Sequence, residues 1–216
     1  MRMLRRFTMA APAALLALAT AAAPVRAQTT RPFADSWFWG AKVGTMTFWT
    51  PTVNHAVAPM IGGDWLITRR SAALYISADQ AFFDETSTYA TVSSTGAVSS
   101  ADIQIKDMRR YTAALLAFPH MFETLRPYAG VGMTLNIIRR ATLLNGALQS
   151  GALEDVQSTT APLFMLGAQG QYRRVALFGQ GSWIPTQRIF LINKRSTFFV
   201  EAGVRYNVGS SRESTH

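Results

Sequence analysis

The sequence predicts an all-β protein, an eight-stranded antiparallel up-and-down transmembrane β-barrel, and three observations support this prediction. First, side chains alternate between an apolar face and a face with glycine and charged residues, segment after segment, from residue 37 to residue 208. A period of two residues is that of a β-strand. Second, a stretch typical of an export signal precedes the strands. Third, aromatic residues lie near strand ends. Together they indicate an apolar face toward lipid and a charged face toward the interior.

The first 27 residues are typical of a signal peptide. Arg2, Arg5 and Arg6 form a positive start, an apolar alanine-rich run continues to about Val25, and a small-residue cleavage site ends at Ala27. The apolar run is short for a retained membrane anchor, which is the alternative. The chain is therefore expected to consist of a signal peptide at 1–27, an outer-membrane barrel domain at 28–208 and a flexible polar tail at 209–216.

The amino-acid composition limits the classes of binding partner that we expect. The chain contains no cysteine, although exported domains commonly rely on disulfides; a closed barrel in lipid instead gains stability from its ring of backbone hydrogen bonds. The net charge is +9, and the four basic residues of the signal leave +5 for the exported part. A mild basic excess after an export signal favours an anionic lipid surface over nucleic acid. We expect outer-membrane lipid and lipopolysaccharide as partners, with no nucleic acid and no cofactor.

The first four strands differ in how clearly they alternate. The first, about 37–49, sets three tryptophans against a face with glycine and one lysine. The second, about 57–68, sets isoleucine and tryptophan against aspartate, with a proline near its start, where a strand tolerates it. The third, about 71–83, sets leucine, isoleucine and phenylalanine against serine, tyrosine and aspartate. The fourth, about 108–118, has ambiguous facing, and its periodicity also permits a short helix.

The last four strands follow the same rhythm. The fifth, about 127–137, sets valine, methionine and leucine against tyrosine, glycine and threonine. The sixth, about 162–172, sets phenylalanine and leucine against glutamine and glycine. The seventh, about 174–184, has weaker facing, and the eighth, about 198–208, sets valine and tyrosine against glutamate and arginine. Each segment is long enough to cross a bilayer, for which a tilted strand needs about 9–11 residues.

The connections are of two kinds. Arg69-Arg70 and Arg173-Arg174 are very short turns, whereas 84–107 and 139–161 are long and polar. The first connection, 50–56, departs from the pattern because it is short on the side of the long loops. Short turns on the periplasmic side and long loops on the outer side are typical of outer-membrane barrels. An even number of strands then places both termini in the periplasm.

Two segments resemble a known family. WFWGAKVG at residues 37–44 is similar to the first strand of the small eight-stranded outer-membrane barrels related to outer membrane protein A. RPYAGVG at residues 126–132 resembles a strand start that is widespread in that group. The resemblance implies an outer-membrane barrel. We expect the protein to be a monomer. Only eight residues follow the last strand, so the cell-wall anchoring of larger family members is not expected.

The end of the barrel domain resembles an assembly signal. A polar residue, a glycine and two spaced apolar or aromatic residues resemble the pattern by which the barrel-assembly machinery recognises its clients. This chain departs from many such barrels by continuing to His216 instead of ending at an aromatic residue. The residues that carry the resemblance are Glu201, Gly203, Tyr206 and Val208.

Inward charges are the first candidate site. An eight-stranded barrel is only just wide enough for side chains to fill it, and an unpaired charge there costs several kcal/mol. We therefore predict a Lys42–Glu201–Arg205 cluster where the first and last strands meet. The favoured interpretation is a plug that satisfies buried charge; the alternative is a gate, because in the related family the matching lysine belongs to a rearranging network. The predicted inward charges are Lys42, Asp64, Asp79, Glu201 and Arg205.

Aromatic residues near strand ends predict an interfacial belt, since indole and phenol rings prefer the headgroup level. The less favoured alternative is a stacking platform for sugars or bases. The predicted belt contains Trp37, Trp39, Trp49, Trp65, Phe82, Tyr172, Trp183 and Tyr206.

Basic pairs at the outer ends of strands form a third candidate site. Arginine matches phosphate oxygens in a fork, so these pairs are possible lipopolysaccharide contacts, and an ordinary solvated rim is an equal alternative. For the two arginine turns on the periplasmic side the solvated rim is favoured. The outer candidates are Arg109, Arg110, Arg139, Arg140, Lys194 and Arg195.

Catalysis and metal binding are not expected. The histidines, His55, His120 and His216, lack the nearby serine of barrel lipid hydrolases and the spacing of metal ligands. The expected function is a structural or surface-interaction role carried by the outer loops. The alternatives are a narrow pore or conduit, then a lipid-modifying enzyme, and, outside the membrane, a soluble barrel with an apolar interior.

Overall fold

The computed structural model describes residues 33–53, 55–92, 98–119, 125–146, 157–185, 190–192 and 196–210. The predicted signal peptide, most of the predicted tail, and His120, Lys194 and Arg195 lie outside these ranges.

Eight strands form one closed antiparallel barrel, in which each strand pairs with the next and the last pairs with the first. This confirms the predicted fold class and excludes the helical alternative for the fourth strand. Among the described residues, no helix is long and apolar enough to cross a membrane. The strands are β1 Ser36–Phe48, β2 Ala56–Arg69, β3 Ala72–Val92, β4 Val98–Ala117, β5 Leu125–Gly146, β6 Ser158–Tyr172, β7 Val175–Ile184 and β8 Thr197–Ser210.

The side chains of the barrel wall alternate between its interior and its outer surface. On β1, Lys42 and Met46 are buried inside while Trp39 and Val43 are exposed outside. The two strands with unclear facing follow the same rule. On β4, Thr112 and Leu116 point inward and Leu115 points outward. The alternation therefore encodes an apolar outer surface and a mixed interior.

The barrel has two unlike ends. The turn end is defined by the two tight turns at residues 70–71 and 173–174, and the loop end is the opposite end. The first turn lies one residue later than predicted, because Arg69 ends β2 and pairs with Ala72. Both turns place an arginine in the left-handed backbone region, with φ of 49° at Arg70 and 54° at Arg173. Two-residue hairpin turns need such angles and favour asparagine and glycine there.

The predicted long loop at 84–107 is largely wrong, because β3 and β4 remain paired well beyond the barrel wall. Their pairing continues from Asp84 opposite Lys106 to Val92 opposite Val98, after a bulge that follows Ala81. Polar side chains suggested a loop, but they alternate with buried apolar ones such as Ile105. β5 likewise extends to Gly146 within the predicted loop at 139–161. The β3–β4–β5 extension is therefore an ordered part of the loop end.

The barrel interior contains three layers. At the turn end, Phe33 packs on Phe38 and Phe118, with ring centres 5.8 and 4.8 Å apart. The middle is polar and charged. At the loop end a second apolar layer forms, and the described part of the β7–β8 connection contributes to it. The buried members of this loop-end apolar layer include Met46, Phe48, Ile105, Met108, Ile138, Ile184, Phe190, Ile192 and Phe199.

Candidate functional site

The middle of the barrel holds a charged layer of three cations and three carboxylates. Their formal charges cancel, and each residue is at most 5% exposed. Five different strands supply them, with Glu201 and Arg205 both on β8. The members of the charged layer are Lys42, Asp64, Asp79, Arg110, Glu201 and Arg205.

Four of these residues form one group in which each cation contacts both carboxylates. Lys42 Nζ lies 3.0 Å from the carboxylates of Asp79 and Glu201. Arg110 Nη2 lies 2.8 Å from Asp79 Oδ2 and also donates to Glu201 Oε1. Lys42 Nζ donates a further hydrogen bond to the Tyr75 hydroxyl at 2.7 Å. Buried charges persist only when they are paired and hydrogen-bonded, and this group meets that condition.

Strand register brings this group together. Asp79 and Arg110 are directly opposite on β3 and β4. Closure of the barrel places Lys42 opposite Gly203, two residues from Glu201. Inward side chains on adjacent strands at such positions are close enough for long side chains to meet.

Glycines beside the charges leave room for the carboxylates. A Cβ added to Gly62 would overlap Asp79, and one added to Gly40 would overlap Asp64. Both glycines belong to the inward face, which the sequence marks as rich in glycine. The absence of a side chain at these glycines therefore leaves the interior volume that the two carboxylates occupy.

The remaining two charged residues form a second group nearer the turn end. Arg205 Nε donates to Asp64 Oδ2 at 2.5 Å, and Arg205 Nη1 donates to Gln169 Oε1 at 2.7 Å. The Arg205 guanidinium also stacks 3.7 Å from the centre of the Phe178 ring. This stacking suits arginine, whose planar cation is weakly hydrated.

Gln180 and Tyr75 extend the hydrogen bonds of the first group. Gln180 Nε2 donates to Glu201 Oε2 at 2.7 Å and to the Tyr75 hydroxyl at 3.0 Å. The Tyr128 hydroxyl donates to Gln180 Oε1 at 2.9 Å. The second group lies beside this network, with the Arg205 guanidinium 5.6 Å from the centre of the Tyr75 ring.

The structure corrects the predicted cluster in two respects. It brings Lys42 and Glu201 together, but Arg205 pairs with Asp64 instead of joining them. It also places Arg110, predicted as an outer lipopolysaccharide contact, 2% exposed in the interior. The reason is strand alternation, which turns Arg110 inward and its neighbour Arg109 outward.

A charge count could have found Arg110 from the sequence. The predicted interior set contained three carboxylates and two cations, an imbalance that a narrow barrel does not tolerate without a further cation. The facing of Arg110 could not be assigned from the sequence, because alanine lies on both faces of β4.

The predicted belt aromatics point outward in two sets. Trp37, Trp39, Tyr172 and Tyr206 are exposed near the turn end, where Trp39 stacks on the half-buried Trp65 at 5.5 Å. Near the loop end lie Trp49, Phe82 and Trp183, and Trp183 stacks on Phe164 at 5.4 Å. Trp39 and Trp49 are ten positions apart on or beside β1; at about 3.4 Å per residue and about 40° of tilt, they are separated along the barrel axis by roughly 25 Å.

Basic residues at the loop end are exposed, unlike Arg110. Arg109, Arg139 and Arg140 lie on the outer surface of β4 and β5. Arg140 is opposite Lys106, whose Nζ lies 2.7 Å from Asp84 Oδ2. A hydrogen bond from Lys106 holds the pKa of Asp84 below its usual value. Arg139 Nη1 lies 4.0 Å from Asp107 Oδ2. The surface is therefore basic, with two of its cations beside carboxylates.

The other predicted sites have simple positions. In the assembly-signal residues, Glu201 and Gly203 face the interior, and Tyr206 and Val208 face outward. His55 packs edge-on against Trp49 at 5.8 Å. Within the described ranges, no three histidine, cysteine or acidic residues come together as potential metal ligands.

Comparison with known proteins identifies the fold. No family model matches the sequence, and a search of curated protein sequences finds no match. Neisserial surface protein A superposes with a TM-score of 0.55 at 12% identity, covering 79% of this chain and 96% of that chain. Ail, the attachment invasion locus protein of Yersinia pestis, gives 0.47 at 9% identity, covering 81% and 99%. The N-terminal barrel of Pseudomonas aeruginosa OprF gives 0.42 at 10%, covering 78% and 96%. The chain has the fold of the small eight-stranded outer-membrane barrels.

Proposed function

We propose that this protein is an outer-membrane barrel with a closed interior, whose role is structural or interactive and is carried by its loop end. The observation that supports the closed interior best is the charged layer. Its three cations and three carboxylates are paired with one another and lie between two apolar layers. Ions and polar solutes would have to break buried pairs and cross both apolar layers, which side-chain filling of a small barrel prevents.

The outer surface supports a location in the outer membrane. Exposed side chains along the barrel wall are apolar, including Val43, Ile61, Val131, Leu166 and Val204. Two sets of outward aromatics border this band, as aromatic girdles do in lipid. The signal-like N-terminus and the fold agree with export to that membrane. By analogy with short-turn barrels, the turn end faces the periplasm and the loop end faces outward.

The loop end is suited to surface contacts. On the β3–β4 extension, outward side chains change from the apolar Phe82 to the polar Asp84, Thr86 and Thr88. The extension therefore projects beyond the apolar band. The interaction role is assigned to this region and to the adjoining loops.

Lipopolysaccharide is the proposed lipid partner at the loop end. Arg109, Arg139, Arg140 and Lys106 form an outward basic surface at the border of the apolar band. Guanidinium groups bind phosphate oxygens through paired hydrogen bonds, and the phosphates of lipopolysaccharide lie at that depth. Arg110 is removed from this set because it faces the interior.

The proposal includes a non-enzymatic monomer without a cofactor, assembled by the barrel-assembly machinery through the Tyr206 and Val208 end of β8. If the protein has no lipid chemistry, the mass profile of lipid A is the same with and without it.

A narrow pore is the second candidate. Lys42 and Arg110 each contact both Asp79 and Glu201, so partners could exchange without leaving a bare charge. Opening would also require the loop-end apolar layer, including Phe190 and Ile192, to move aside. The closed barrel is favoured because it requires neither change.

Gel mobility tests the membrane-barrel proposal. Closed lipid barrels resist cold SDS and migrate as compact species. The outer-membrane fraction should contain a band whose mobility shifts on boiling. A soluble periplasmic protein with one mobility would contradict the proposal and would favour the soluble barrel instead.

A further inference from the structure

Both tight turns at the turn end carry arginine where the backbone favours glycine. Arg70 and Arg173 have φ of 49° and 54°, a left-handed backbone conformation that residues other than glycine and asparagine rarely adopt. Each belongs to an arginine pair, with Arg69 and Arg174. Turn geometry therefore does not explain these residues, and their charge calls for another explanation.

The two turns border a continuous arc of outward aromatic residues. One register row runs from Tyr172 through Val175, Tyr206 and Trp39 to Trp65, across β6, β7, β8, β1 and β2. Trp37 adjoins this row, since it pairs with Ile67, two residues before Arg69. The turn-end arc is defined as Trp37, Trp39, Trp65, Tyr172 and Tyr206.

At one end of the arc, arginine side chains lie against the aromatic rings. Arg174 Nη1 donates to the Tyr206 hydroxyl at 3.3 Å. The Arg173 guanidinium lies 5.4 Å from the centre of the Tyr172 ring. Both tyrosines point outward and are about half exposed. Aromatic rings of this kind mark the headgroup level of a bilayer, so the guanidinium groups lie at the depth of lipid phosphates.

Charge at the turn end is unbalanced among the described residues. The four arginines at and beside the turns face one acidic residue of the described ranges, Asp35, whose carboxylate lies 4.0 Å from Arg69 Nε. Arg126, at the same end, instead covers the buried Phe33 ring at 4.3 Å. An excess of guanidinium groups beside a lipid-facing arc complements an anionic membrane surface. Arginine also binds phosphate in a fork, which lysine does not.

We propose that the two arginine turns and the turn-end arc bind the phosphate groups of anionic phospholipids, of the phosphatidylglycerol class, in the leaflet that surrounds the turn end. The inference rests on the proposed membrane location, which makes that leaflet the periplasmic one. It assigns a lipid specificity to the end of the barrel opposite the proposed lipopolysaccharide contacts.

Tryptophan quenching by brominated lipids tests the proposal, because three tryptophans belong to the arc. In a Trp49→Phe, Trp183→Phe background, emission comes from Trp37, Trp39 and Trp65. The protein is refolded into phosphatidylcholine vesicles that contain brominated phosphatidylglycerol or brominated phosphatidylcholine. Half-quenching should require at least about threefold less brominated phosphatidylglycerol than brominated phosphatidylcholine. Raising the salt concentration by about 0.5 M should reduce this difference, because salt screens exposed charges.

A variant that retains the turns separates charge from folding. Arg70→Gly and Arg173→Gly suit the observed backbone, and Arg69→Gln and Arg174→Gln complete the removal of charge. This fourfold variant should fold and should lose the preference. Arg139→Gln with Arg140→Gln removes charge at the loop end and should leave the preference unchanged.

The outcomes distinguish the two proposals. Quenching by neither brominated lipid would contradict the membrane barrel itself. Equal quenching by both lipids, or a preference that survives in the fourfold variant, would overturn only the lipid site. Arginine-dependent sedimentation with purified peptidoglycan, without a lipid preference, would assign the surface to the cell wall and would also overturn it.

Discussion

The charged layer and the loop-end apolar layer fill the same lumen by different means. The two layers meet at successive inward positions: Arg110 and Met108 are two residues apart on β4, and Glu201 and Phe199 are two residues apart on β8. The charged layer depends on particular partners, whereas the apolar layer depends on filled volume. We therefore expect single substitutions in the charged layer to destabilise the barrel more than paired ones. In the loop-end apolar layer, we expect each lost methyl group to lower stability.

The largest effect is expected for Arg110→Met. Loss of the guanidinium leaves Lys42 as the cation for both Asp79 and Glu201, and one uncompensated buried charge costs about 3–5 kcal/mol. Urea unfolding in detergent, followed by the cold-gel mobility shift, measures this change. Arg109→Met is the matched control, because Arg109 is the exposed neighbour on the same strand, and it should change stability by less than about 0.5 kcal/mol. Equal effects of the two variants would contradict the buried assignment.

A somewhat smaller effect is expected for Ile105→Ala in the loop-end apolar layer. Ile105 is fully buried, and loss of such a side chain costs about 2–4 kcal/mol through lost burial and the cavity that remains. Leu143→Ala, at a 41% exposed position on the β5 extension, serves as the control. The same unfolding measurement applies. A negligible effect of Ile105→Ala would show that the extension is not packed as described.

A paired change in the second charged group sharpens the comparison. Asp64→Leu and Arg205→Met together should cost less than the sum of the single changes, with a coupling of about 1–3 kcal/mol, because each single change leaves a bare charge. A double-mutant cycle measures the coupling. Additive costs would mean that the Asp64–Arg205 contact does not decide the stability of this group.

The smallest expected effect is a gain in stability. Arg70→Gly relieves a left-handed backbone angle and should stabilise the barrel by up to about 1 kcal/mol in neutral detergent. Arg69→Gln, at the end of β2 beside the same turn and without that constraint, should be nearly neutral. A loss of stability in Arg70→Gly would indicate that the arginine side chain stabilises the turn through its own contacts.

Sequence alternation predicted the facing of β1 and β8 because tryptophan, valine and tyrosine recur on the outward face, while Lys42, Glu201 and Arg205 fall with glycine on the inward face. It did not predict β4, since alanine on both faces removes the contrast that alternation needs. It also missed the β3–β4 extension, because a strand outside the apolar band has polar side chains on its outer face and resembles a loop in composition.

Within the candidate site, sequence reasoning found five of the six charged residues and the Lys42–Glu201 pair. It did not find the division into two groups. That division depends on inter-strand register: Arg205 pairs with Gly40, which is itself opposite Asp64. A register is set by many contacts at once and cannot be obtained from the alternation of single strands.

Planar-bilayer conductance tests the closed interior most directly. Heat-modifiable protein inserted into the bilayer should show no stable unitary steps, because the paired charged layer and the apolar layers on either side fill the lumen. Reproducible, ion-selective steps from the unaltered protein would contradict this account and would favour the gated pore.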